Sequence, residues 1–150
     1  MKKANSSKIK NATKLIVNGL KFKSKLEVFT YNKLLENGII DFNYEGLKFT
    51  LLPNFEFNNL SIELGKNKCF APATEKIRSI TYLPDFGNIK DDKTGWIMEC
   101  KGYPNDAFPL KWKMFKHHLL TNGYNVKLYK PNNQKNVLLA IEDIKSKYYV

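Results

Sequence analysis

The sequence predicts an α+β (mixed α/β) domain with a central mixed β-sheet flanked by helices. Three observations lead there. Segments with apolar residues at helical spacing are interleaved with segments rich in β-branched and aromatic residues, in the order α, several β, α, β, α. The chain has 150 residues, one domain's worth, and 43% of them are hydrophobic, enough to fill one core. Glycine, proline, asparagine and aspartate gather between the segments, where the chain must turn.

Residues 1–22 are rich in Lys, Asn and Ser. They read as a basic, partly flexible arm that firms up near Leu15-Ile16-Val17, ahead of a single domain over residues 23–150. A helix is expected over Lys25–Asn37. Ser24 is a good N-cap, and Glu27, three residues on, completes a capping box. Leu26, Phe29, Tyr31, Leu34 and Leu35 supply its apolar mass, and Gly38 ends it. Asp41–Leu52 reads as extended chain. Residues 53–65 are expected to hold a short strand, and 66–75, with Pro72, a loop.

Lys76–Phe86 is the clearest strand, carrying Ile77, Ile80, Tyr82 and Leu83. The run Asp91-Asp92-Lys93-Thr94-Gly95 is turn chemistry. Trp96–Lys101 is a second strand, so residues 77–101 are predicted to form an antiparallel hairpin. A helix over Leu110–Asn122 follows, closed by Gly123. A strand over Tyr124–Tyr129 comes next. The last helix, Asn136–Tyr149, is predicted to bury Val137, Leu138, Ile141 and Ile144.

The net charge of +11 and the pI near 9.6 concentrate polyanions at the surface, and nucleic acid is the usual polyanion. Composition offers a competing explanation. Arg78 is the only arginine while lysine and asparagine abound, as an AT-rich coding sequence would produce unaided. No run of eighteen apolar residues exists, so no membrane span is expected. The basic start has no apolar stretch of the secretory kind behind it. Cys69 and Cys100 are too few for a disulfide framework and lack zinc-site spacing. A reducing cytoplasm is the expected compartment.

The segment Tyr82-Leu83-Pro84-Asp85-Phe86 is followed, after the predicted hairpin, by Ile97-Met98-Glu99-Cys100-Lys101-Gly102. Residues two apart in a strand share a face, so Glu99 and Lys101 project together while Met98 and Cys100 face away. The hairpin lays Asp85 beside them. Two carboxylates and an ammonium on one sheet face are costly to desolvate unless a divalent cation offsets the charge. Carboxylate oxygens suit Mg²⁺ or Mn²⁺. A metal so held polarises a phosphoryl group and lowers the pKa of a bound water, and a nearby lysine can stabilise developing charge.

Pro84-Asp85 followed by Glu99-Cys100-Lys101 resembles the signature of the PD-(D/E)XK nuclease superfamily. Phe22-Lys23-Ser24-Lys25-Leu26-Glu27 opening a helix, then Asn37-Gly38-Ile39 and Phe42-Asn43-Tyr44-Glu45, is similar to the bacteriophage endonuclease I family of Holliday-junction resolvases. Ile77–Tyr82 and Phe108–Phe115 resemble poorly characterised phage proteins of the same superfamily. Together these segments cover roughly residues 19–120.

The resemblance implies a restriction-endonuclease-like core and a Mg²⁺-dependent (or Mn²⁺-dependent) endodeoxyribonuclease. Asp85, Glu99 and the Cys100 backbone carbonyl would hold the metal, and Lys101 would activate water or stabilise the transition state. Glu27 would join the same or a second metal; its competing role is the helix cap. The resemblance further implies a branched DNA substrate, 5′-phosphate and 3′-hydroxyl products, a homodimer, and a phage protein acting in a bacterial host's cytoplasm. Residues 53–75 look like an insertion relative to the resolvases, and the chain after Gly102 departs from them.

Asp85 could instead merely end a strand, and Lys101 blunt a sheet edge. Lys76, Arg78, Lys111, Lys113 and Lys116 are candidate phosphate contacts; the competing role of the helical three is a solvated face. Lys2, Lys3, Lys8, Lys10 and Lys14 either add non-specific DNA affinity or form a solvated tail. His117 and His118 are adjacent and cannot act as paired ligands on one helix face. One is expected at the surface and one partly buried. Trp96, Trp112 and Phe115 are expected in the core. Two rival functions stay open: another DNA-processing nuclease of the superfamily, and a non-catalytic nucleic-acid-binding protein of that fold. A basic structural protein without a site is the third and weakest.

Overall fold

The structure, a computed structural model, describes residues 15–150 apart from the side chain of Asn59. Lys2, Lys3, Lys8, Lys10 and Lys14 therefore lie outside the described residues. Helices and strands are intermixed along the chain as an α+β fold. It divides into two compact units: residues 15–40, 100–102 and 130–150, and residues 41–99 and 103–129.

In the first unit, β1 (Leu15–Val17) and β2 (Leu20–Phe22) form an antiparallel hairpin. Asn18 and Gly19 both take positive φ in its two-residue turn, the backbone such a tight turn requires. The last third of the expected arm is thus ordered chain. α1 (Lys25–Glu36) starts where the capping residues place it, with Glu27 N–H donating to Ser24 Oγ at 3.2 Å. Its buried residues are Glu27, Thr30 and Leu34, of which only Leu34 belongs to the apolar set read from the sequence. Leu26, Phe29, Tyr31 and Leu35 are only half-buried. α3 (Gln134–Tyr148) is capped by Asn133 and buries Val137, Ala140, Ile141 and Ile144. Leu138, expected on that face, is turned outward. The two helices pack against one another.

The second unit holds a four-stranded mixed sheet in the order β10-β9-β8-β3. Its strands are β3 (Asn43–Tyr44), β8 (Phe86–Ile89), β9 (Thr94–Met98) and β10 (Asn125–Tyr129). β8 pairs antiparallel with β3 and β9, and β10 lies parallel to β9. Parallel neighbours need a crossover, and α2 (Phe108–Thr121) lies in that connection. Two small antiparallel pairs complete the unit: β4 (Phe49–Leu52) with β7 (Ile80–Tyr82), and β5 (Phe55–Leu64) with β6 (Phe70–Ile77). Phe49, Tyr82, Ile97, Phe108, Trp112, Phe115 and Leu119 form one core cluster between α2 and the strands. Trp96, Trp112 and Phe115 are core residues, as expected.

Three strand expectations are corrected. The predicted strand Lys76–Phe86 is three pieces: β6 ends at Ile77, β7 covers Ile80–Tyr82, and β8 starts at Phe86. Pro84 has no N–H to donate, and the chain there passes from one sheet to another. The predicted strand to Lys101 stops at Met98. Residues 53–75 are not a short strand and a loop but the long ribbon β5–β6. Its tight turn, with Lys68 at positive φ and its N–H on Gly65 O, looks like loop by composition. Pro72 is tolerated because this ribbon has unpaired edges.

The β8–β9 hairpin depends on Gly95. Its φ is +146°, and a Cβ there would meet Asn88 O at 2.0 Å. Across the turn, Asp92 Oδ1 accepts bonds from Thr94 N–H and Oγ1–H. These bonds hold the exposed Asp92 carboxyl below the usual carboxylate range.

Candidate active site

β8 and β9 run antiparallel with Phe86 opposite Met98. Asp85 precedes the first of that pair and Glu99 follows the second. The backbone positions of the two acids thus flank the end of the β8–β9 ladder, and both carboxylates are near enough to Tyr82 for their charges to act on its phenol. Backbone bonds hold both positions: Glu45 N–H donates to Asp85 O, and Glu99 N–H to Tyr129 O, each at 2.9 Å. Asp85 is 8% and Glu99 7% exposed, and Pro84 is fully buried. Two acidic side chains in so dry a place demand compensation.

Tyr82 supplies part of it. Its hydroxyl donates to Glu99 Oε2 at 2.7 Å inside the protein. Its ring is set by α2, 4.5 Å from the ring of Phe115 and 6.1 Å from that of Trp112. Burial pushes the phenol far above its ordinary range, and the Glu99 charge, the hydrogen bond and the Asp85 charge push the same way. The hydroxyl therefore stays protonated and remains a donor. Sequence reasoning counted Tyr82 only as a β-forming residue. A phenol three positions before the aspartate was the available signal.

Lys101 is half-buried, and its N–H donates to Pro131 O at 3.0 Å. Cys100 is buried with Sγ 3.2 Å from Thr30 Oγ1, so its expected metal role rests on the backbone carbonyl alone. Glu27 is 4% exposed. Its Oε1 accepts from Ser24 Oγ–H at 2.8 Å and its Oε2 from Lys23 N–H at 3.1 Å. The capping role is therefore present in the structure, with Lys23 in place of the cap's own N–H as the reciprocal donor.

The candidate phosphate contacts are spread over the second unit. Lys113 and Lys116 are exposed on α2, Lys111 is half-buried, and Lys116 Nζ stands 5.7 Å from the Trp112 ring centroid. Arg78 is exposed between β6 and β7. Lys76 is exposed on the ribbon, 3.9 Å from Glu56. His117 is exposed, and His118 is half-buried against Phe49, as expected.

Among the described residues, no group of three or more His, Cys, Asp and Glu could hold a metal ion. Asp85 and Glu99 nonetheless suit a hard divalent cation. Mg²⁺ in phosphoryl chemistry commonly takes one or two carboxylates and completes its shell with water and substrate oxygens. No described helix is long and apolar enough to cross a membrane.

A family model described as a protein of unknown function (DUF1064) matches residues 6–135. The chain belongs to that family. No curated protein and no solved structure matches it.

Proposed function

We propose that this protein is a metal-dependent endodeoxyribonuclease of the PD-(D/E)XK kind, acting as a homodimer on branched DNA in the manner of a Holliday-junction resolvase. The observation that carries the reading is that Asp85 and Glu99 are both buried, each one residue beyond the Phe86–Met98 pair of β8 and β9, with Lys101 two residues along the chain from Glu99. A hard cation offsets their cost.

Asp85 and Glu99 would hold Mg²⁺ or Mn²⁺ through carboxylate oxygens, with the Cys100 carbonyl as a further donor. When bound, that ion polarises the scissile phosphate and supplies a nucleophile at neutral pH. Tyr82 fixes the rotamer of Glu99. Lys101 contributes the ammonium that orients water or stabilises the charge growing on the phosphate. The products would be a 5′-phosphate and a 3′-hydroxyl. The +11 charge would draw in DNA, with Lys111, Lys113, Lys116, Lys76 and Arg78 as phosphate contacts. A phage-encoded protein would do this in the host cytoplasm.

A second reading is a non-catalytic nucleic-acid-binding protein. The observation favouring it is that Glu99 and Glu27 already accept hydrogen bonds from protein donors. A cleavage assay decides. Labelled four-way junction, fork, nicked and linear duplex DNA are incubated with Mg²⁺ or Mn²⁺ and wild-type, Glu99→Ala or Lys101→Ala protein. Paired nicks in the junction with wild type alone are expected. Cutting of the other substrates instead keeps the active site but moves the specificity to general DNA processing. No cutting of any DNA by folded protein removes the nuclease and leaves the binding module.

A further inference from the structure

The β5–β6 ribbon has an apolar face that the rest of its own sheet does not cover. Ile62 stands opposite Pro72 and Leu64 opposite Phe70, so these four share one face. Ile62 is 57%, Leu64 69% and Phe70 74% exposed, and Pro72 is exposed beside them. The opposite face at the same end carries Ser61, Glu63, Ala71 and Ala73, which are small or polar. The apolar side is therefore outward. A two-stranded ribbon is marginal in water unless a further surface packs on it.

Charge identifies the occupant. Residues 55–77 contain three acids (Glu56, Glu63, Glu75) and three lysines (Lys66, Lys68, Lys76), a net charge of zero in a chain of +11. A polyanion gains nothing on this surface. Two copies of a strongly basic protein repel each other over most approaches. On a neutral, apolar face they do not. Area agrees. Ile62, Leu64, Phe70 and Pro72 expose on the order of 500 Å² together, so two such faces in contact would bury about 1,000 Å², the lower limit for a specific interface.

We infer that the apolar face of the β5–β6 ribbon, built on Ile62, Leu64, Phe70 and Pro72, is the surface on which a second copy of this chain docks. The two ribbons pack face to face across a two-fold axis, each presenting the same patch. This rests on the homodimer of the proposed function and names its surface; it needs neither metal nor DNA, so it can fail while cleavage is found, and the reverse.

Sedimentation of the full chain in metal-free and DNA-free buffer tests it, at micromolar concentration and in both low and high salt. Wild type should sediment at twice the 17.4 kDa chain mass in both. The double variant Leu64→Glu/Phe70→Glu should fall twofold in mass with an unchanged far-ultraviolet circular dichroism spectrum. Leu120→Glu, at an exposed leucine on α2, should stay dimeric. A monomeric wild type overturns the inference and leaves the ribbon to a different protein. So does a double variant that remains dimeric, or a dimer that Leu120→Glu dissociates.

Discussion

The Tyr82 hydroxyl donates a 2.7 Å hydrogen bond to Glu99 Oε2 in the interior of the protein. That bond ties the candidate site to the core, because the Tyr82 ring rests on Phe115 and Trp112 of α2. Tyr82→Phe keeps the ring and removes the donor from a buried carboxylate. The loss should cost about 2 kcal/mol in chemical denaturation. In the cleavage assay it should raise the Mg²⁺ concentration for half-maximal rate by roughly 10–100-fold, the usual cost of releasing a group that orients a ligand. A variant as stable and as active as wild type would show that the bond positions nothing.

The same phenol gives an alkaline signature. Its folded pKa lies well above the ordinary tyrosine value of about 10. Above that pH the unfolded chain releases the proton and the folded chain keeps it, so the unfolded state binds fewer protons. Stability from this group is then complete below about pH 10 and falls as pH rises, by about 1.4 kcal/mol per unit. Denaturation in metal-free buffer between neutral and strongly alkaline pH should show a steeper decline for wild type than for Tyr82→Phe. Parallel curves would refute it, since the lysines titrate in both proteins.

Metal linkage separates a site from a structural pair. An ion that binds only the folded state raises its stability by about 2.7 kcal/mol at a hundred times its dissociation constant. Mg²⁺ or Mn²⁺ should raise the melting temperature of wild type relative to EDTA. Neither should affect Asp85→Asn/Glu99→Gln. Without metal, the double variant should equal or exceed wild type by about 1 kcal/mol, because buried charge has been removed. Its cleavage should be lower by on the order of a hundredfold or more. A wild type indifferent to both ions would remove the metal from the site.

Much of this was legible in the sequence, for physical reasons. Helix ends are written locally: Ser24 and Gly38 bracket α1 because capping and left-handed backbone depend on single residues. The hairpin turn around Asp92 and Gly95 is local too. What escaped depends on distant neighbours. The ribbon was seen only as a short strand within 53–65 and a loop over 66–75, because Pro72 and its small neighbours read as loop and only pairing makes them a strand. The break at Leu83-Pro84-Asp85 was hidden by strand-forming residues on both sides. Tyr82 and Glu99 lie 17 positions apart, and their bond follows from tertiary packing. Of the buried face of α1 only Leu34 was read, for a different reason. Glu27, Thr30 and Leu34 follow helical spacing, yet two of them are polar and an apolar count passes over them.

Glu27 can be tested as a ligand against its role in the cap. Both of its side-chain oxygens accept bonds, from Ser24 Oγ–H and Lys23 N–H, and a glutamine can preserve only one of these without rearranging. Ser24→Ala removes the cap itself and should cost about 1 kcal/mol. If Glu27 is only a helix cap, both variants should cleave DNA at wild-type rate once their stabilities are allowed for. Glu27→Gln should instead lose cleavage by on the order of a hundredfold while Ser24→Ala keeps it, because a ligand acts through its charge and a cap through its hydrogen bond. Rates measured well below each variant's melting temperature make the comparison.

The last test concerns the hairpin that aligns Asp85 with Glu99. Gly95 faces Ile89 across β8 and β9, in a backbone conformation that side chains rarely adopt. A Cβ there would meet Asn88 O at 2.0 Å, and that oxygen is main chain, which cannot swing aside. Gly95→Ala must therefore shift β8 against β9. The strain should cost about 2–4 kcal/mol in denaturation. Gly102→Ala has nothing within 4 Å of the added Cβ and should cost less than about 1 kcal/mol. Under the nuclease reading, Gly95→Ala should also lose cleavage at temperatures where it remains folded, because the two carboxylates leave register. A Gly95→Ala protein as stable as Gly102→Ala would mean that the turn is not what holds the pair together.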